Sequence, residues 1–485
     1  MVMERNEPCA CGSGKKYKKC CLAKDEAAAA MRRLEEQRRV EAEAEAARRM
    51  REEERAVWEK ARRPAPSGTP DDEFTSDSAA KARELGWPPL TVESEKLVDA
   101  WWEEVHPVYV GKDGLKQSGW LLERTVAFLD EHPQLFRYLF LHEEFLLEVG
   151  AWLDRAGRRT DHHELLLRLR GEQPEVHSQG FGFWDFNLLV ESLRSGQRED
   201  IQACLPRFRE EPIKFIDQFA EVVDLLAWHG CEAELRWLLE PTAAIIEDSP
   251  DVLNGGFGMR WLTHLAMFPL LESGDDTPEA FGGMCQQVMA VGCLEDNHRN
   301  REWLRRAVLM ALPTEAESGL DLKQPHSVQF DGDVAWSFAG WLRRTKGLRW
   351  ASARFLAGIM LDYWHWTENK QKGLKRGRKK GGKTKAAATF SLDAGRLGDF
   401  LDNYCRGFFG IRTLTALPAI QSYHYFTEYL VERGHLSDEQ ASQVRTEATV
   451  HFIRVRNLVD VNDPIYQIYP TYEELITGAR LHLES

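Results

Sequence analysis

The chain has 485 residues, of which 43% are hydrophobic, and this is enough to bury a core in two or three domains. The formal net charge is −14, yet residues 1–63 carry 17 basic against 13 acidic residues, and residues 369–389 carry nine basic residues and no acid. No apolar run approaches the ~20 residues of a membrane helix, and the N-terminus lacks the apolar core of a signal peptide. We therefore expect a cytoplasmic protein without a membrane span, in which an acidic body carries two basic appendages.

Four cysteines are concentrated near the N-terminus, in the spacing C-x-C-x8-C-C: they are Cys9, Cys11, Cys20 and Cys21. Four thiolates are the complete tetrahedral ligand set of a structural zinc ion. A segment this short cannot bury a core, so the metal must supply its folding free energy. We predict a zinc module over residues 1–24. The alternative, incidental or disulfide-forming cysteines, is disfavoured by the reducing compartment.

Residues 5–21 resemble the SEC-C motif, which is named for its place at the C-terminus of the preprotein translocase ATPase. The resemblance implies that the four cysteines bind Zn2+. It also implies that a basic surface docks onto a partner, its members being Lys15, Lys16, Tyr17, Lys18 and Lys19. In the translocase that partner is the secretion chaperone, and related modules contact the ribosome. Because the family attaches this motif to many unrelated domains, the resemblance leaves the function of the remaining chain open.

A long charged segment follows the cysteines. Residues 25–63 consist almost entirely of Ala, Glu, Arg, Lys and Gln with no Gly or Pro, which predicts a solvated helical stalk. Its few larger apolar residues do not hold a heptad, which argues against a coiled coil. A partner-bound helix or a dimeric coiled coil is the alternative. Residues 64–86, rich in Pro and small polar residues, are predicted to be a flexible linker.

The body of the chain is predicted to be all-α. In residues 87–368 apolar residues recur at intervals of three and four residues, as in Leu122, Val126 and Leu129, which predicts amphipathic helices. Short breaks near residues 131, 155, 194 and 229 suggest that these helices form hairpins. The stretch Phe219 to Leu239 resembles a tetratricopeptide or HEAT-type hairpin. No fixed period survives, so a degenerate α-solenoid is the first expectation and an irregular all-helical fold the alternative. Residues 390–485 are predicted to form a C-terminal helical subdomain.

Most tryptophans and the scattered cysteines are expected in the core. Sixteen tryptophans are unusual, and those that do not enter the core are candidates for a concave binding surface. Single cysteines in a reducing compartment are usually small core residues, and here they are Cys204, Cys231, Cys285, Cys293 and Cys405.

Residues 369–389 are predicted to be a disordered basic insertion that contacts RNA or DNA. Its basic residues are Lys370, Lys372, Lys375, Arg376, Arg378, Lys379, Lys380, Lys383 and Lys385. Folding back onto the acidic body, or simple solvation, is the alternative. Gly377 to Thr384 formally satisfies the phosphate-loop pattern G-x4-G-K-[ST], but the preceding residues are too polar for the buried strand that such a loop requires.

Three further groups of residues are candidates for metal binding or catalysis. The run Arg158 to Glu164, with His162, His163 and the downstream His177, could be a metal cluster or the R-x4-H pattern of helical ribonucleases. Adjacent histidines at the end of a loop are more often exposed and inert, so neither the metal cluster nor the ribonuclease pattern is favoured.

His424 with Glu428, and Asp362 with His365, are interpreted in the same way, as surface or satisfied core residues. The sequence therefore predicts no catalytic residue and no enzyme.

The leading hypothesis is a zinc-containing adaptor that engages a protein partner. A nucleic-acid- or ribosome-associated factor is second, and an unrecognised helical nuclease or effector is third.

Overall fold

A computed structural model describes residues 82–110, 116–139, 143–196, 198–249, 257–275, 277–291, 294–311, 328–376, 392, 394–405, 413–458, 469 and 471–477. Within these ranges the regular structure is helical, with no strand, so the all-α prediction is confirmed. None of these helices has the length and apolar character needed to cross a membrane. The predicted zinc module (1–24), stalk (25–63) and most of the linker (64–86) lie outside the described residues.

The chain divides into two compact units, Met1–Pro89 and Leu90–Ser485. In the first unit the structure describes residues 82–89, where a single helical turn spans residues 82–84. The backbone N–H of Trp87 donates to the carbonyl of Ala82 at 2.8 Å and closes this turn. The last residues of the predicted linker are therefore helical.

The second unit is built from helices of four to 27 residues. In its described part they are α1 (Val92–Tyr109), α2 (Ser118–Glu131), α3 (Phe136–Leu139), α4 (Glu143–Arg155), α5 (Arg159–Glu172), α6 (Pro174–Ser195), α7 (Arg198–Ala203), α8 (Pro206–Glu210), α9 (Ile216–Trp228), α10 (Glu232–Glu247), α11 (Phe257–Ser273), α12 (Pro278–Ala290), α13 (His298–Ala311), α14 (Val328–Lys346), α15 (Trp350–Arg376), α16 (Ala394–Asn403), α17 (Thr413–Glu432), α18 (Asp438–Leu458) and α19 (Tyr472–Thr477).

The first half of this unit follows the predicted hairpins. Helices α2, α4, α6 and α9 end at the breaks expected near residues 131, 155, 194 and 229. Gly196 and Gly230 follow two of these helices with φ of 73° and 69°, a left-handed conformation that glycine adopts without a steric penalty. Several of these helices pack against the next helix in the chain, as α4 does on α5, α5 on α6, and α10 on α11.

The second half departs from the nearest-neighbour stacking of a solenoid. Helix α15 packs against α9, α11, α14, α16 and α17, so it contacts helices that lie far away in the sequence. A solenoid contacts only adjacent repeats, whereas this arrangement is the one that an irregular all-helical fold predicts. The described helices after residue 390 belong to the same compact unit as the body.

Polar side chains connect α9 to α15 and α17 inside this core. Trp228 Nε1 donates to Gln421 Oε1 at 2.8 Å, and Ser352 Oγ donates to the Trp228 carbonyl at 2.7 Å. Ser422 Oγ donates to the Leu356 carbonyl at 2.8 Å. All of these groups are buried, so each bond satisfies polar atoms that would otherwise be costly to remove from water.

Tryptophans fill much of the core, as expected. Trp184, Trp341 and Trp350 are among the largest side chains that are completely buried. Trp237 and Trp303 are different, because 41% and 42% of their surface is exposed. These two are the described tryptophans most open to a ligand or a partner.

Candidate functional site

The predicted zinc ligands and the basic surface beside them lie outside the described residues, so their geometry is not part of the fold described above. Their donor set, four cysteine sulfurs, is one that zinc prefers. In the described part of the chain no group of three or more His, Cys, Asp or Glu side chains is placed to hold a metal ion.

The scattered cysteines are core residues. Cys204, Cys231, Cys285 and Cys405 are buried and free, which confirms the prediction for these four, while Cys293 lies outside the described residues. Burial raises the pKa of the Cys204 and Cys231 thiols to about 12. They are therefore protonated at neutral pH and are poor nucleophiles and metal ligands.

The histidines near residue 160 do not form a common site. They lie inside α5 and not in a loop, so the expectation of exposed side chains is wrong for His162, which is 7% exposed. Burial lowers the pKa of His162 to about 4, and this side chain packs against Gly150. His163 is half-buried beside Glu191 and Asp200, on another face of the helix.

Arg158 and His163, the two ends of the R-x4-H pattern, and the downstream His177 also have different neighbours. Arg158 Nε donates to Asp161 Oδ2 at 2.6 Å, which occupies its guanidinium in a local ion pair. His177 lies on α6, where its Nε2 is 3.3 Å from Asp185 Oδ1. The helix periodicity that separates neighbouring side chains by about 100° thus distributes these residues among different contacts.

His424 and Glu428 belong to a network that fastens α19 to the core. His424 Nδ1 is 2.8 Å from the hydroxyl of Tyr472, and its Nε2 is 3.5 Å from Glu428 Oε1. Glu428 also forms an ion pair with Lys346 of α14. Each member has a partner inside the protein, in keeping with their interpretation as satisfied core residues.

Asp362 and His365 lie on α15 near its contact with α16. Burial raises the pKa of Asp362, and this effect is opposed by a hydrogen bond with Tyr404 and by the nearby His365. The carboxylate is thus occupied within the protein.

Part of the predicted basic insertion is helical. Helix α15 continues to Arg376, so residues 369–376, with Lys370, Lys372 and Lys375, extend this helix and the prediction of disorder is wrong for them. Residues 377–389, with Arg378, Lys379, Lys380, Lys383 and Lys385, lie outside the described residues. A helix precedes Gly377 where a phosphate-binding loop requires a strand, which argues further against that motif.

An apolar groove of about 810 Å³ lies between α10, α11 and α12. Its walls are largely small or aliphatic, and the lining includes Ala243, Ala244, Leu262, Ala266 and Ala290. Arg236 and Glu240 line it as well, 3.4 Å apart. Small side chains leave room for side chains from a partner, so this groove is suited to an apolar protein segment.

The most unusual polar group of the described residues is Arg354 of α15. Its guanidinium carbon lies 4.2 Å from the centroid of the Trp336 ring, and its Nη2 is 3.4 Å from His264 Nε2 on α11. Trp261 lies 5.8 Å from His264, and Trp303 lies 5.8 Å from Trp336, between ring centroids.

Sequence reasoning missed this arrangement. The available signal was a single arginine within the apolar run from Trp350 to Met360, where a charge needs an explanation. The aromatic and histidine partners come from α11 and α14, and no local pattern relates those helices to α15.

The comparisons with known proteins concern the N-terminal segment. Residues 5–23 match the family model of the SEC-C motif. A segment of 25 residues is 84% identical to the protein translocase subunit SecA of Desulforudis audaxviator (strain MP104C), and it covers 5% of this chain and 3% of that protein. No solved structure matches the chain significantly. The N-terminal segment of this protein therefore carries a SEC-C motif.

Proposed function

We propose that this protein is a cytoplasmic adaptor that binds a partner protein through a zinc-loaded SEC-C module and its helical unit. The observation that carries the proposal is the 84% identity over 25 residues with a translocase subunit. Residues 5–23, which match the SEC-C family model, include the four cysteines and the basic residues between them, and this supports retention of both the metal and the contact surface. The proposal assigns binding, and no catalytic step, to the chain.

The zinc ion would be held by Cys9, Cys11, Cys20 and Cys21. Four thiolates give the site two net negative charges, which the four neighbouring lysines offset. The ion would supply the folding free energy of the module, which for short zinc peptides is on the order of 10 kcal/mol. The surface that carries Tyr17 would then be presented in one conformation to the partner.

The helical unit would add a second contact through the groove between α10, α11 and α12. We assign this groove to aliphatic side chains of a segment of the same partner, because its alanines and Leu262 offer apolar surface with space beside it. Burial of aliphatic groups there would contribute about 25 cal/mol for each Å² removed from water. Two separate contacts on one partner raise the effective concentration of the second once the first has formed.

The test is capture of the tagged full-length protein from its own cells, after nuclease treatment and in high salt, with metal content measured in parallel. We expect one zinc per chain and one discrete protein partner. The double variant C20S/C21S should lose both, whereas the control Cys285→Ala, at a core cysteine, should keep both. A partner that stays bound to the zinc-free variant would contradict the assignment to the module.

The groove has its own variant. Ala290→Arg places a charged side chain at an exposed position of the groove lining and should weaken capture of the same partner, because the charge must be desolvated when the segment binds. Ala203→Arg, at an exposed position on α7, is the control and should leave capture unchanged. Equal capture by both variants would remove the groove from the proposal.

Nucleic-acid or ribosome binding is the second candidate, and the nine basic residues without an acid in residues 369–389 favour it. Such binding would weaken steeply with salt, with a logarithmic slope of about −0.9 for each DNA phosphate neutralised. Replacing Lys379, Lys380 and Lys383 by Gln should then reduce the slope by about three. Ribosomal proteins or RNA that are lost with nuclease and salt would favour this function over the adaptor.

A further inference from the structure

Arg354 carries a positive charge that no neighbouring group neutralises in the described part of the chain. Among the described residues no carboxylate pairs with it, and burial alone lowers its pKa, to about 10. Asp333, on the adjacent α14, is already in an ion pair with Arg306. Asp362, two turns along α15, is engaged by Tyr404. Charges that are largely removed from water are normally paired, so Arg354, which is only partly exposed, lacks an expected anion.

The histidine beside Arg354 cannot serve as that anion. An arginine only donates hydrogen bonds, so His264 Nε2 accepts from Arg354 Nη2 and the imidazole proton is on Nδ1. Neither His264 Nδ1 nor Arg354 Nε has an acceptor among the residues that the structure describes. Burial and the positive charges of Arg354 and Arg260 lower the pKa of His264 well below its ordinary value, which keeps the ring neutral. The site therefore contains donors and positive charge with too few acceptors.

Open space lies on α15 one turn away from Arg354. Gly358 follows Arg354 by four residues, and thus lies on the same face of α15. A Cβ built on Gly358 would meet no atom within 4 Å, whereas one on Gly182 would lie 2.3 Å from the Phe215 ring. Arg354 and His264 are themselves partly exposed, so this part of the protein is open to solvent.

Flat apolar surfaces border the same place. Trp261 of α11 is partly exposed and lies 5.8 Å from His264 and 6.4 Å from Phe355, between ring centroids. The Trp336 ring covers one face of the Arg354 guanidinium. An aromatic wall beside a cation is suited to a ligand in which a flat ring carries a negative group.

We propose that Arg354, His264, Trp261 and Gly358 form a binding site for a ligand that carries a phosphate or carboxylate on a flat ring. Arg354 receives the oxyanion, Trp261 contacts the ring, and the missing side chain of Gly358 provides the space. This site is separate from the zinc module and from the groove between α10, α11 and α12, so it stands independently of the adaptor proposal.

The test is titration of the full-length protein with phenyl phosphate and with phenylacetate, followed by calorimetry and by tryptophan fluorescence. At least one of the two should bind, and which one binds more tightly separates a phosphate from a carboxylate ligand. Inorganic phosphate, which lacks the ring, and benzyl alcohol, which lacks the charge, should each bind at least about tenfold more weakly. The proposal would be overturned if neither aromatic anion binds. It would also be overturned if inorganic phosphate or benzyl alcohol binds as tightly as the better aromatic anion.

Three variants locate the site. Arg354→Met should weaken the tighter probe by about tenfold or more, which is the scale of one charge-assisted contact. Arg209→Met is the matched control, because Arg209 stacks on the Trp237 ring at the same distance of 4.2 Å without a histidine partner, and binding should be unchanged. Gly358→Leu should also weaken binding while the melting temperature stays equal or rises, since leucine favours the helix more than glycine does. Wild-type affinity in either Arg354→Met or Gly358→Leu would refute the assignment.

Discussion

Replacing Arg354 by methionine is expected to stabilise the protein in the absence of ligand. The pKa of Arg354 falls from 12.5 to about 10 because of burial, and a difference of one in pKa corresponds to about 1.4 kcal/mol. The charged side chain thus destabilises the folded state by on the order of 3 kcal/mol. Its stacking on Trp336 recovers about 0.5 to 2 kcal/mol, so the variant should gain about 1 to 2 kcal/mol. For a unit of this size that is a rise in Tm of about 1 to 3 °C.

Thermal unfolding of the full-length chain, monitored by circular dichroism, measures this effect. Arg354 and its unfolded counterpart are both protonated below a pH of about 10, so the difference in Tm should stay constant between about pH 6 and pH 9. Arg209→Met, which removes an arginine stacked on the 41% exposed Trp237, should leave Tm unchanged or slightly lower. If Arg354→Met instead destabilises the fold by more than about 1 kcal/mol, the charge is compensated and the reasoning about an absent anion fails.

Three other predictions use the fold and the metal. Gly182→Ala should lower Tm markedly, because the new Cβ would lie 2.3 Å from the Phe215 ring. The control is Gly283→Ala, at an exposed position of α12 where a Cβ meets nothing within 4 Å, and it should raise stability by about 1 kcal/mol. Similar Tm values for the two variants would show that the close contact with Phe215 is not maintained. Burial lowers the pKa of His229 to about 3, so the wild-type protein should lose stability as pH falls below about 6.5, where the histidine of the unfolded chain takes up a proton. His229→Phe should remove that part of the acid sensitivity. Parallel curves of Tm against pH for the variant and the wild-type protein would contradict this prediction. Removal of zinc with a chelator should expose residues 1–24 to protease while the helical unit keeps its Tm, and unchanged cleavage would argue against a metal-dependent module.

The helices and their ends were predictable because their signals are local. Apolar spacing indicated α2, where Leu122 and Leu129 are buried, and the His229-Gly230 break marked the end of α9. Gly196 and Gly230 follow α6 and α9 with positive φ, which ends a helix locally, so these boundaries depend on few distant contacts.

The packing of the second half and the surroundings of Arg354 were not predictable in this way. Arg354 meets His264 of α11, 90 residues earlier in the chain, and Trp228 meets Gln421 across 193 residues. Such contacts depend on which helices come together, and helical spacing reports only which face of each helix is apolar. The same limit applied to His162, whose burial follows from close packing against Gly150 of α4.

The partnership of α9 with α17 has a consequence for the order in which the chain can fold during synthesis. Trp228 hydrogen-bonds to Gln421, and 193 residues separate them. At about 5 to 20 residues per second, a ribosome needs roughly 10 to 40 s to synthesise that interval. For this time α9 is complete but its neighbour α17 is absent, so the nascent protein passes through a long period in which a chaperone can bind the surface that α17 later covers.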